Sequence, residues 1–167
     1  MNPGPQGAVG AIPVADFLAL SAPLTGFEVV ELEATGMADT YLDKLRAIVG
    51  DHLTARLLSV GGAAAAWSED HVHDELRRRV MGDKTLGPLA ANVVVLWYLG
   101  QWRQLPAEWR DRHGASVLDV DHIVSAEAYK AGLVWTAIGA HPQGANPQGF
   151  GSWAAPPPDL HEVSIRG

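Results

Sequence analysis

No cysteine occurs in the 167 residues. That absence removes thiolate zinc sites, iron–sulfur clusters, covalent c-type haem, disulfides and any thiol nucleophile together. Positive charge is also scarce, with Lys and Arg numbering 12 against 19 Asp and Glu, for a net charge of −7 and a pI near 5.4. A nucleic-acid partner is therefore not expected, since phosphate binding needs a basic stripe and the one run is Arg77-Arg78-Arg79, read as a solvated helix face. Long apolar runs are missing too. The longest, Val93–Leu99, falls far short of the roughly 20 residues a membrane-spanning helix needs. What the chain does have is apolar mass, 47% hydrophobic residues and six tryptophans, which is enough for one core and too much for a disordered chain.

Apolar periodicity then divides the chain. Residues 1–11 are rich in Gly and Pro and read as a mobile arm, residues 12–140 as one helical domain, and residues 141–167 as an extended C-terminal arm. Pro13 opens a helix whose face carries Val14, Phe17, Leu18, Ser21 and Leu24 and which ends at Gly26. The acidic segment Phe27–Gly36 reads as irregular. A second helix spans Met37–Val49 and stops at Gly50; shorter helical pieces are expected at Leu53–Val60 and at Ser68–Val80, the latter with Ser68 as cap. Pro88–Trp102 is apolar on every side, the pattern of a helix surrounded by others. Arg103–His122 is polar, with short helical pieces around Pro106–Asp111. A last helix begins at Ser125 and carries Tyr129, Leu133, Trp135 and Ile138. With no convincing pair of alternating strands, the expected class is all-α: about five to seven helices, long loops and an irregular Pro/Gly-rich tail.

Candidate chemistry is sparse. His71 and His73 stand two apart within Asp70–Asp74, and on a helix that spacing points them in different directions, against a shared metal ion. His52, His113 and His122 read as surface residues, and His141 as a group placed to satisfy the last helical carbonyls. No serine sits in a nucleophile elbow, and no paired carboxylates lie in an apolar setting. The glycines of Gly144–Gly151 neither follow a strand nor open a helix, so they make no dinucleotide fingerprint. Trp97, Tyr98, Trp102 and Trp135 read as core. Phe150 and Trp153 differ, because a segment holding Gly144, Gly149, Gly151 and Pro156–Pro158 cannot form regular structure around them. Two readings stay open for them: cover by the chain's own domain, or anchoring an arm on a partner.

Several stretches in order, "FLALSAPLTGF", "LWYLGQW" and "SAEAYKAGLVWTAIGAHPQGANPQGFGSWAAPP", resemble the small-subunit family of bacterial membrane-associated, FAD-dependent sorbitol, fructose and glucose dehydrogenases. The likeness runs from about Phe17 to Pro157. Its most specific pieces are Leu24-Thr25-Gly26, Trp97–Gly100, the Tyr129–Trp135 helix, and Trp153 followed by Pro156. The resemblance implies a non-catalytic subunit with no cofactor of its own. It would bind and stabilise a catalytic flavoprotein of the glucose–methanol–choline type that carries the FAD, alongside a multihaem cytochrome c subunit. It also implies a periplasmic location, inner-membrane association through the cytochrome, and a twin-arginine leader that assists export of the folded partner. The start Met1-Asn2-Pro3-Gly4 suits a chain whose leader has been cut away, with a true cytoplasmic relative as the equal alternative. Many members place a cysteine in the tail where this chain has Gly144-Ala145-Asn146. The stretch Gln101–Val124 is longer than in the glucose and fructose relatives, and fits either a partner interface or a plain solvent loop.

The expected interface residues are His141, Pro142, Phe150, Trp153 and Pro156. An alternative is an independent helical ligand-binding domain or enzyme using His141, His71 or His73; another is self-association through the arm.

Overall fold

The computed structural model describes residues 12–64, 69–114 and 116–142. The arm 1–11, the Ser68 cap, and Phe150, Trp153 and Pro156 of the C-terminal arm lie outside the described residues. Within them the chain is a single all-α domain with two short strands. Helix α1 (Val14–Thr25) ends where Gly26 turns left-handed, at φ 79°. Two of its polar residues are buried yet satisfied: Ser21 Oγ donates to the Phe17 carbonyl at 2.7 Å and Thr25 Oγ1 to the Ser21 carbonyl at 2.8 Å. Ser21 therefore costs the apolar face little.

The acidic segment expected to be irregular contains a helix, α2 (Val29–Ala34). The reason is local. Glu28 N–H donates to Glu31 Oε2 at 2.8 Å, tying the first turn, while Leu32 is the one residue of this helix that is fully buried. A single apolar anchor leaves no periodicity to read.

α3 (Ala38–Ala64) is interrupted at Gly50, where the backbone leaves the helical path at φ 82°, ψ 161°, so that two helical stretches meet in a kink at the expected stop. Nothing lies within 4 Å of a Cβ built there, so the glycine serves backbone conformation and not packing. Tyr41, Leu42, Leu45 and Ile48 are buried before the break, Leu57 and Leu58 after it. α1 packs on α3 and comes close at Gly61, where a Cβ would lie 2.6 Å from Leu20 Cβ. α4 (Glu69–Leu76) continues into a π-helical turn, Arg77–Met81. Arg77, Arg78 and Arg79 are exposed there, with Arg78 and Arg79 both paired to Glu75.

α5 (Leu86–Leu99) begins two residues before the apolar segment expected from Pro88 and is stopped by Gly100 at φ 62°. Asp83 Oδ1 accepts the Thr85 and Leu86 amides at 2.7 and 2.8 Å. The Leu86 amide, then that of Thr85 and the Arg56 guanidinium, hold the Asp83 carboxyl below its usual range. Leu89, Ala90, Val93, Leu96 and Trp97 of α5 are buried. The Trp97 ring stacks on Phe17 at 5.9 Å and meets Tyr41 edge-on at 5.0 Å, which joins α5 to α1 and α3. Tyr98 Oη donates to the Thr25 carbonyl at 2.8 Å.

After α5 come β1 (Gln101–Trp102), α6 (Ala107–His113), β2 (His122–Ile123), α7 (Ala126–Lys130) and α8 (Leu133–Ala137). β1 and β2 pair antiparallel, Gln101 opposite Ile123 and Trp102 opposite His122. This corrects the expectation of a chain without paired strands, although two residues per strand are too few for an alternating pattern to show. The last helix, expected as one, is two. Ser125 caps it as expected, accepting the Ala128 amide at 3.0 Å. The break is at Gly132, where a Cβ would lie 2.7 Å from the Tyr98 carbonyl oxygen, so the chain must change direction against the end of α5.

Two consequences are measurable. Tyr41 Oη and Trp97 Nε1 are buried with no hydrogen-bond partner, and burial pushes the Tyr41 phenol well above its ordinary range. The folded state keeps that proton when the unfolded chain has released it, so stability is intact below about pH 10 and declines as pH rises above it. Tyr41→Phe is expected to stabilise the fold by about 1 kcal/mol at neutral pH and to flatten the alkaline decline, read from urea unfolding at pH 7 and pH 10.5. Gly100→Ala is expected to cost about 2 kcal/mol or more, since it strains a positive φ and drives a Cβ to 2.4 Å from the Ala128 backbone; thermal melting measures it.

Candidate partner-docking surface

The segment between α5 and α7 is not a plain polar loop. Trp102, Leu105 and Trp109 are buried in it, and among them sits a carboxylate, Asp119, only 3% exposed. Asp119 Oδ1 accepts the Trp102 indole N–H at 2.8 Å and the Leu105 amide at 3.0 Å, and Arg110 Nε lies 4.0 Å from Oδ2. A buried carboxylate is tolerable when donors and a cation surround it, and this one has both. Two more bonds hold the adjoining backbone. Gln104 Nε2 donates to the Asp119 carbonyl at 3.0 Å, and Asp121 Oδ1 accepts the Gln104 amide at 2.6 Å.

From the other side, the Asn92 amide of α5 reads both backbone groups of Arg103. Its Oδ1 accepts the Arg103 N–H at 2.8 Å and its Nδ2 donates to the Arg103 carbonyl at 3.0 Å. Residues 103–105 thus have their three amides and the Arg103 carbonyl met by side chains. α6 is fixed to the start of α5 by the Trp109 indole, which donates to the Thr85 carbonyl at 2.9 Å.

With Asp119 drawn inward, its neighbours face solvent. Val117 is 92% exposed, and Leu118, Val120 and Ile123 are each about half exposed. The turn that carries them is ordered by its own bonds, Asp119 N–H to the Ser116 carbonyl at 3.0 Å and Leu118 N–H to Ser116 Oγ at 3.1 Å. Isolated apolar side chains on a surface need no explanation, but four within one pinned turn and its adjoining strand do. Such an arrangement presents apolar area at little entropic cost, because the backbone beneath it is already fixed.

The residues expected to form the interface fare differently. His141 is exposed and Pro142 buried, just beyond α8. His141 does not cap α8: the carbonyls of Val134, Trp135 and Thr136 are taken by the amides of Ile138, Ala140 and Gly139. The Trp135 indole donates to the Tyr129 carbonyl at 2.9 Å, and the two rings meet edge-on. His71 and His73 are exposed on α4. Among the described residues no group of three or more His, Asp or Glu side chains is placed to hold a metal ion, and no helix is long and apolar enough to cross a membrane. Sequence reasoning raised the 101–124 stretch as a possible interface and missed Asp119. The available signal was a lone acid between Leu118 and Val120, with Trp102 and Trp109 nearby in sequence.

Comparisons with protein-family models, with curated protein sequences and with solved structures give no match.

Asp119→Ala is expected to strand the buried Trp102 indole N–H and the Leu105 amide, at about 2 kcal/mol or more. Asp119→Asn keeps an acceptor and is expected to cost less. Chemical denaturation of the two variants, with hydrogen exchange at the Leu105 amide, checks the order.

Proposed function

We propose that this chain is a non-catalytic binding subunit that holds and stabilises a larger partner protein. The observation that supports the reading best is the turn 116–123, where a buried carboxylate fixes the backbone and Val117, Leu118, Val120 and Ile123 are left uncovered. An apolar rim on a pinned turn gains free energy when another surface covers it.

The resemblance to the small subunits of FAD-dependent sorbitol, fructose and glucose dehydrogenases supplies the partner's identity. On that reading the partner is a catalytic flavoprotein of the glucose–methanol–choline type in a periplasmic complex, joined by a multihaem cytochrome c that contacts the inner membrane. The FAD and the sugar or polyol oxidation belong to the partner, and this chain assists its folding or twin-arginine export. Its C-terminal arm, through Phe150 and Trp153, provides a second point of attachment.

Co-expression tests this. The flavoprotein is expected to accumulate as soluble, active enzyme only with this chain present, and to co-purify with it; equal yields without it and no co-purification would sink the proposal. The double variant Val117→Asp with Val120→Asp is expected to weaken the complex at least tenfold while leaving the subunit's own melting temperature unchanged.

A further inference from the structure

A second surface lies on the other side of residues 103–106, between them and α5. Two adjoining hollows, of about 480 and 240 Å³, share Pro88 and Pro106 as common walls and so form one trough. Its floor is apolar. Pro88, Ala91 and Val95 fall at helical spacing along one stripe of α5, about 10 Å long at 1.5 Å per residue. Met81 closes one side, and the shorter hollow continues onto Trp109.

The rim carries a sign opposite to that of the molecule. In a chain of net charge −7, Lys84, Arg103 and Arg112 border the trough against the single carboxylate Glu108. Arg103 has an exposed partner in Asp121 at 3.8 Å. Lys84 and Arg112 are exposed and have no carboxylate partner among the described residues. Met81, Ala91, Gln104 and Pro106 are themselves exposed, so the trough is too open to enclose a small molecule in the way a ligand cavity does. Its length matches three residues of extended chain. Nucleic acid is disfavoured by the net charge.

We infer that this trough binds a short extended segment of a partner protein, with apolar side chains seated on Pro88, Ala91 and Val95 and acidic residues facing Lys84 and Arg112. The inference rests on the reading of the chain as a protein-binding subunit and adds a further contact, with a stated chemistry, to the apolar turn and the C-terminal arm. Charge complementarity decides the occupant: a basic or neutral segment of the same shape would fill the floor and leave the rim unpaired.

The test uses two labelled peptides on the full chain, DELPLDE and its counterpart KKLPLKK, read by fluorescence anisotropy at low and physiological salt. The acidic peptide is expected to bind at least tenfold more tightly, with an advantage that shrinks as salt rises. Lys84→Glu with Arg112→Glu, both on exposed side chains, is expected to abolish that preference, and Ala91→Asp to weaken both peptides; each variant is checked for an unchanged melt. Equal affinities, no binding of the acidic peptide, or a preference that survives the charge reversal would overturn the inference. A flavoprotein complex that forms normally while no peptide selectivity is seen removes the trough and leaves the subunit reading intact. Peptide selectivity without any flavoprotein complex does the reverse.

Discussion

The packing of the Trp97 indole against Phe17 and Tyr41 is the contact on which the rest of the domain depends. It places α5 under α1 and α3, and α5 has no polar face to turn outward along most of its length. A helix of that kind is stable only when other elements enclose it. α1 and α3 cover one side. The π-helical turn, the β1 strand and the α7–α8 corner cover much of the remainder. The core accepts two unpaired polar atoms, Tyr41 Oη and Trp97 Nε1, because the aromatic area buried with them outweighs the lost hydrogen bonds.

That enclosure decides where surfaces for other molecules can lie. The flank of α5 carrying Pro88, Ala91 and Val95 is only partly covered, because residues 103–106 stand off from it. The same residues form the inner wall of the turn that Asp119 holds. The apolar turn and the trough are therefore both tied to residues 103–106, which is why both candidate surfaces occur in a stretch that composition alone describes as polar.

Much of the architecture was legible in the sequence. The class, the central place of the Pro88–Trp102 segment, the stops at Gly26 and Gly50 and the Ser125 cap follow from periodicity and from glycine and cap chemistry, which act locally. α2 escaped because its six residues have a single buried anchor, Leu32. The split of the last helix escaped because Gly132 is dictated by a carbonyl of another helix, Tyr98, and no local signal carries that. The docking surface was only half legible. The 101–124 stretch stood out by length, but a buried aspartate and an exposed one look alike in sequence until the indole that binds Asp119 is in place.

Residues 103–105 follow a path with few of the regular backbone pairings that usually fix a chain. Their three amides and the Arg103 carbonyl are met by Asn92, Asp119 and Asp121 instead. The shape of this layer is thus encoded in the identities of a few polar side chains scattered along the chain, and hardly at all in its length or hydrophobicity. Another sequence could keep every helix of this domain and every apolar position in its core, change those three residues, and inherit the fold without inheriting either surface.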